Sequence, residues 1–368
     1  MKMRHILLLF SMAVELFLFF YCLIRKTNHV PAGYLCAVLS FLLLIVTGWL
    51  LLFPKSTPVE TTGRYTVSRE DSFYTDPNRL ESYAGDGSHR ELSVSFWYPQ
   101  DCEAGHTCPL VLFSHGSFGV KESNESLYRE LASHGYVVCA VDHTYQCFST
   151  KQSNGKTVRV SGEFMKEIAN SDFHKNPQQA IAYAQKWMDI RTGDLNFVLD
   201  TILSKVRVDD TQLSVYRRIN PEKIAVAGHS LGGSAVLGVG RQREDISAVV
   251  SLEAPFLCDM QEVCNDGTIR FNESPYPVPV LNVYSDASWE HLTEWKQYAE
   301  NARLLEEQSD IAQNVYLSGI GHFSLTDFSL TSPFLTMVFD GQSPKEKPQE
   351  TLKKLNQICL SFLDKHLH

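Results

Sequence analysis

The residues best suited to do chemistry stand in Gly228-His229-Ser230-Leu231-Gly232. Ile224-Ala225-Val226-Ala227 before them is an apolar run of buried-strand length, and the small residues of 234–240 after them can open a helix. Gly-x-Ser-x-Gly between a strand and a helix makes a turn sharp enough to strain the serine backbone. Glycines at 228 and 232 remove side chains that would strike the neighbouring strand and helix. Such a turn holds Ser230 Oγ at a helix N-terminus, with the Leu231 amide facing an oxygen that turns negative during acyl transfer. A lone hydroxyl is a weak nucleophile and needs a base. His322, in Gly319-Ile320-Gly321-His322 after an apolar strand, stands where the chain order serine, acid, histidine puts one.

Two carboxylates compete for the role of acid. Glu253 follows Ala248–Leu252 and Asp286 follows Val278–Tyr284, both at the C-terminal ends of strand-like runs, where open α/β sheets build their sites. Asp286 has another occupation available, as N-cap of a helix expected over 289–307. Glu253 has none, and a lone carboxylate between an apolar run and Ala254-Pro255 is costly unless paired. His115, His143 and His229 also follow or end apolar runs and are read as packing or hydrogen-bonding residues.

The chain has 368 residues and a formal charge of −9, with no basic run to hold a nucleic acid. It contains no internal repeat, no Walker loop and no HExxH helix, and no cofactor or metal is expected. Nine cysteines include the pairs Cys102/Cys108 and Cys258/Cys264 in polar surroundings. Close pairs in polar loops suit small disulfides and an oxidising compartment, the alternative being free thiols. Asn124-Glu-Ser and Asn272-Glu-Ser are glycosylation sequons.

Positioning these groups falls to the rest of the chain. Residues 6–24 and 32–53 are apolar runs of about 20 residues each, the length that crosses a bilayer, so 1–56 reads as a membrane hairpin with two spans. Lys2, Arg4, Lys55 and Arg64 outnumber Arg25 and Lys26 in the turn, which would put both ends in the cytoplasm. The cysteine pairs argue for the opposite, extracytoplasmic side, and that side is the expectation adopted. Residues 57–91 read as a polar tether. From 92 to 368, strands (92–98, 110–113, 136–141, 224–228, 248–252, 278–284, 314–317) alternate with helices (127–134, 164–204, 289–307, 347–365). The alternation predicts an α/β class, a mostly parallel sheet with helices on both faces.

Taken together, Leu112-Phe113-Ser114-His115-Gly116, Leu131-Ala132-Ser133-His134-Gly135-Tyr136, Val141-Asp142-His143, the turn 224–233, Leu252-Glu253-Ala254, and Gly321-His322-Phe323 with Thr326-Asp327-Phe328 resemble the α/β-hydrolase family of platelet-activating factor acetylhydrolase type. The resemblance covers roughly 60–365 and leaves the hairpin outside. It implies a calcium-independent serine esterase acting on short or oxidised acyl chains of phospholipids or on related small esters. It further implies that Ser117 gives the second oxyanion amide. It also puts the acid at a Leu-Asp-Ala position, occupied here by Glu253 in place of aspartate, so that Glu253 is preferred to Asp286. An acyltransferase, an esterase for other small esters or polyesters, and a non-catalytic binding module that keeps the fold are the alternatives.

Overall fold

Alternation of apolar side chains along the strands decides the layering. In the computed structural model, which describes residues 3–24, 30–102, 105–307 and 311–368, eight strands form one twisted sheet. They are β1 (Val67–Leu80), β2 (His89–Pro99), β3 (Cys108–Ser114), β4 (Val137–Asp142), β7 (Ile219–His229), β8 (Ile246–Leu252), β11 (Val280–Tyr284) and β12 (Ala312–Tyr316), while β5 (Ser149–Lys151) with β6 (Thr157–Arg159) and β9 (Met260–Val263) with β10 (Ile269–Phe271) are separate small hairpins. The sheet order is β1-β2-β4-β3-β7-β8-β11-β12; β1 and β2 run antiparallel to their neighbours and the other pairings are parallel.

Strand β3 sends Leu110 and Leu112 to one face and Val111 and Phe113 to the other, and β7 likewise divides Ile224 and Val226 from Ala225 and Ala227. Helices α5 (Pro177–Arg207) and α6 (Leu231–Gln242) cover the first face, with Trp187, Leu195, Val198 and Leu199 of α5 in that core. Helices α3 (Glu125–Ser133) and α11 (Pro348–Leu367) cover the second with Leu127, Leu131, Leu355 and Phe362. Burial on both faces is what makes the parallel strands read as continuous apolar runs.

Four sequence expectations are corrected here. Much of the tether is β1, an edge strand whose outer face meets solvent and whose register slips at Pro77, so it carries little apolar signal. The helix expected over 164–204 is two, α4 (Gly162–Ala169) and α5: Asn176 Oδ1 accepts from Gln179 N and Pro177 starts a new first turn. The helix expected over 289–307 is reduced to α7 (Asp286–Trp289), a 3₁₀ turn at Lys296–Tyr298 and α8 (Ala299–Glu306). Between them Leu292, Trp295 and Tyr298 pack with Trp289 around Tyr284, tying the chain to the sheet. Neither expected disulfide is formed. Cys102 and Cys108 hold their sulfurs 3.9 Å apart, about twice a bonded distance, and the Cys258 thiol is directed at Asp259 Oδ1 instead.

At the N-terminus α1 (Met3–Ile24) and α2 (Val30–Leu52) pack on each other through Phe19 and Phe41, ring centroids 5.8 Å apart. Glu15, turned inward, accepts from Ser11 Oγ at 2.7 Å and Thr47 Oγ1 at 3.0 Å. Large apolar residues face outward instead, Phe10 at 69 % and Trp49 at 62 % exposure. Residues Tyr34–Leu52 are long and apolar enough to cross a membrane, whereas the apolar stretch Ile6–Cys22 is shorter. Arg25, Lys26 and His29 of the connecting turn lie outside the described residues. The hairpin meets the domain where Ser332 Oγ donates to Leu52 O, at the start of α10 (Pro333–Asp340), after the short α9 (Phe328–Thr331).

Candidate active site

Ser230 stands between β7 and α6 with φ 55° and ψ −126°, a left-handed conformation that side chains resist. Its amide donates to Leu252 O at 2.8 Å and its carbonyl accepts from Ser234 N at 3.0 Å, so neighbouring strand and helix together hold the strain. A Cβ at Gly232 would collide with the carbonyls of Ser114 and His115, and one at Gly228 with that of Gly232. Phe118 (φ 61°) and Glu253 (φ 54°) are also left-handed. Three of the five non-glycine residues with positive φ among the described residues thus belong to segments around Ser230, the clustering that functional strain produces.

The loop after β3 lies against the serine. A Cβ on Gly116 would stand 3.1 Å from Ser230 Cβ. The Gly116 carbonyl accepts from His115 Nδ1 at 2.6 Å and Gly119 N at 3.1 Å. In a trans peptide the N–H points opposite to the C=O, so the Ser117 amide is turned away from those donors. Phe118 N is spent on Gln146 O at 3.2 Å; among the described residues nothing accepts from Ser117 N. His115 is buried, its Nε2 accepts from His143 N at 3.2 Å, and burial drives its pKa well below the usual value. That geometry agrees with a hydrogen-bonding role and leaves it no base function.

His322 opens a 3₁₀ turn, His322–Leu325, beyond β12. The His229 ring lies beside it, centroids 4.5 Å apart, and His229 Nε2 donates to the His322 carbonyl at 3.1 Å. Burial pulls the His322 pKa down to about 4, so the ring rests neutral, the form a general base needs. Among the described residues no hydrogen bond joins the His322 ring to Ser230, Glu253 or Asp286. Asp340, at the end of α10, accepts from Phe323 N and Ser324 Oγ, both at 2.8 Å, and so holds the histidine turn. Sequence reasoning missed Asp340; only its place at the C-terminal end of an apolar helix, where an acidic residue is unfavourable, hinted at another task.

The two candidate acids differ in what they have left to give. Glu253 is 2 % exposed; its Oε2 accepts from Ser285 N at 2.5 Å, while Oε1 is buried with no partner among the described residues. Burial raises its pKa against the opposing pull of the Ser288 and Ser285 groups. Asp286 is fully engaged: Oδ1 accepts from Tyr316 Oη at 2.6 Å and Gly319 N at 3.0 Å, and Oδ2 from Gly319 N and Gln342 Nε2. Burial would raise the Asp286 pKa, but hydrogen bonds from Tyr316, Gly319 and Gln342 outweigh it and hold the carboxylate below its usual range. The N-cap of α7 is Ser285, whose Oγ accepts from Ala287 N at 3.1 Å; Asp286 ties down the loop leading to His322 instead.

A second serine–histidine–aspartate chain lies deeper. His143 Nδ1 is 2.8 Å from Asp194 Oδ2 and His143 Nε2 is 2.8 Å from Ser114 Oγ. All three are buried and Ser114 sits within β3, so no substrate reaches that hydroxyl; the chain is structural. His115, Asp142 and Cys147 converge within 4.8 Å, as metal ligands would. Both His115 nitrogens are already bonded, however, and Asp142 accepts from Lys121 N and Thr150 Oγ1. The Asn124 sequon is closed as well, since the Asn124 amide is buried and donates to Leu325 O at 2.8 Å.

A mostly parallel sheet crowned by a strained serine at a strand-to-helix turn, with a histidine turn beyond the last strand, defines an α/β-hydrolase. The family model for platelet-activating factor acetylhydrolase, isoform II, matches residues 96–368, and the chain belongs to that family. The platelet-activating factor acetylhydrolase of Canis lupus familiaris is 24 % identical over 280 residues, 72 % of this chain and 58 % of the relative. A probable 1-alkyl-2-acetylglycerophosphocholine esterase of Arthroderma benhamiae is 28 % identical over 52 % of this chain and 42 % of its own length. The match therefore spans less than two thirds of these relatives. A ferulic acid esterase from Streptomyces cinnamoneus superposes with a TM-score of 0.60 at 20 % identity, over 85 % of this chain and 94 % of that one, a likeness of fold.

Proposed function

We propose that the protein is a serine hydrolase that cleaves carboxylic esters through an acyl-enzyme. The observation that carries this is Ser230, held left-handed at a helix N-terminus against a loop whose Ser117 amide is unspent. Ser230 Oγ attacks the acyl carbonyl and passes its proton to His322. The oxyanion so formed is met by the amides of Leu231 and Ser117. The protonated ring then gives its proton to the departing alcohol, and water, deprotonated by the same ring, releases the acid. Glu253 is the acid of the triad, supported by its buried free Oε1, its strained backbone and the full occupation of Asp286. A binding module would have no use for this strain, which costs about 1–3 kcal/mol per residue.

The substrate proposed is a short-chain or oxidised phospholipid acyl ester, as the names of the acetylhydrolase relatives suggest. An apolar rim supports it: the Phe323 ring meets His322 edge-on with centroids 5.3 Å apart, and Phe339 lies beyond Phe323 at 5.5 Å, 57 % exposed. Phe256 packs in the core on Tyr276, and Phe334 and Met337 line a separate cleft with Lys55 and Pro344. The outward apolar faces of α1 and α2 support a membrane hairpin as anchor. No disulfide joins the cysteine pairs among the described residues, so nothing here supports the extracytoplasmic placement.

Fluorophosphonate labelling of the full-length protein tests the reading. Wild type should be labelled and Ser230→Ala should not; equal labelling of both, or none of wild type, would overturn it.

A further inference from the structure

Arg191 is a fully buried cation that the proposed chemistry leaves unused. It projects from α5 and is 0 % exposed. Burying a guanidinium is expensive unless a carboxylate meets it. The nearby carboxylates are taken: Asp194 accepts from Arg90 Nε and Nη2 at 2.6 Å and from Arg79 Nη2 at 3.0 Å, Glu81 from Arg90 Nη1 at 2.6 Å, and Asp76 from Arg79 Nε at 2.6 Å. Arg191 is spent on neutral acceptors. Its Nη1 donates to the His115 carbonyl and its Nε to Gln146 Oε1 at 2.7 Å, while Nη2 has no partner among the described residues. Burial lowers its pKa to about 9, which still leaves it charged at neutral pH.

Both acceptors lead to one place. The His115 carbonyl begins the loop against Ser230, and Gln146, through its main-chain oxygen, accepts from Phe118 N at 3.2 Å. The loop is thereby held at its first residue and, through Gln146, at its fourth. Between them the His115 ring and Gly119 amide pin the Gly116 carbonyl, which turns the Ser117 amide the other way. A planar fork of donors can bind two segments at once; a lysine ammonium lacks that geometry. Resting on the esterase reading above, we infer that Arg191 is a positioning residue of the oxyanion hole, clamping His115–Phe118 so that the Ser117 amide is aimed before substrate arrives.

The effect should appear where negative charge develops and not in ground-state binding. Losing one oxyanion donor outright costs about 10²–10³ in kcat, and a displaced donor should cost about 10–10². Full-length wild type, Arg191→Lys, Arg191→Met and Glu81→Gln are compared on a p-nitrophenyl butyrate series and with a trifluoromethyl ketone, which forms a tetrahedral adduct on the serine. Glu81→Gln disturbs the same buried network away from the loop. The Arg191 variants should lower kcat and weaken the ketone Ki by the same factor with KM little changed, Lys less than Met. Glu81→Gln should lower Tm and leave the ketone Ki unchanged. If Arg191→Met does not fold, the Lys variant decides. Unchanged ketone Ki in the folded Arg191 variants, or a loss of activity that follows Tm equally at 191 and 81, overturns the clamp. Failure of wild type to turn over the esters or bind the ketone removes the esterase reading itself, and the clamp with it.

Discussion

Replacing Glu253 by glutamine changes one atom at the most informative position of the site. The Ser285 amide occupies Oε2, and a glutamine Oε1 can keep that bond at little cost. The other oxygen, buried and unpartnered, becomes an NH2 that cannot accept a proton-bearing nitrogen of His322. If that oxygen receives the histidine once substrate binds, its loss removes the group that sets the tautomer and steadies the charged ring, an effect of up to ~10⁴ in kcat. Stability should move the other way. Because burial raises the Glu253 pKa, the folded state binds more protons than the unfolded state between the ordinary value of 4.5 and the raised one, so stability falls as pH rises through that window. Glutamine has no charge to bury, and at pH 7 its Tm should match or exceed that of wild type. The pairing of a dead enzyme with an undiminished Tm is what separates a catalytic carboxylate from a structural one. Steady-state kinetics on p-nitrophenyl butyrate and calorimetry at pH 7 supply both readings. An E253Q enzyme with most of its turnover, beside a stable but inactive Asp286→Asn, would refute the reasoning and transfer the role to Asp286.

Other predictions follow from the same geometry. Asp286→Asn should retain activity within about tenfold and lose about 1 kcal/mol of stability, since one oxygen still accepts from Gly319 or Tyr316; equilibrium unfolding in urea measures it. Asp340→Asn should lower kcat by up to about 10²-fold with KM nearly unchanged, because Asp340 aims the histidine turn without touching substrate; a pure KM effect would contradict this. In wild type the acidic limb of kcat/KM should reflect Glu253, above 4.5, whereas the residual activity of E253Q should hold until His322 itself protonates at about 4; a limb near 6.5 in both would mean a solvated imidazole. The full-length protein should remain with membranes after alkaline carbonate extraction through residues 1–56, and release into the soluble fraction would count against the hairpin.

Much of the architecture could be read from the chain because its signals are local. Gly228, Ser230 and Gly232 impose their turn through backbone sterics alone, and apolar runs such as 110–113 and 224–227 mark strands buried on both faces. The histidine turn was legible for a like reason, its glycines preceding His322 after an apolar strand. Where the signal was not local, the reading failed. β1 is polar because only pairing with β2 makes it a strand, and 289–307 is broken because Trp289, Leu292, Trp295 and Tyr298 turn back to pack on Tyr284 at the end of β11. Cysteine spacing left the oxidation state open, and the fold keeps the Cys102 and Cys108 sulfurs 3.9 Å apart.

The site divides in the same way. Sequence by itself singled out the candidate nucleophile and the helix behind it, and the candidates for base and acid, since each follows its own strand-like run. Only the tertiary structure decided which groups are already engaged. It spends every oxygen of Asp286 on the loop before His322, leaves one oxygen of Glu253 buried with no partner among the described residues, brings Asp340 to the histidine turn, and brings Arg191 of α5 to the His115 carbonyl. Hydrogen-bond capacity is a property of the packed neighbourhood, so no single stretch of sequence contains it.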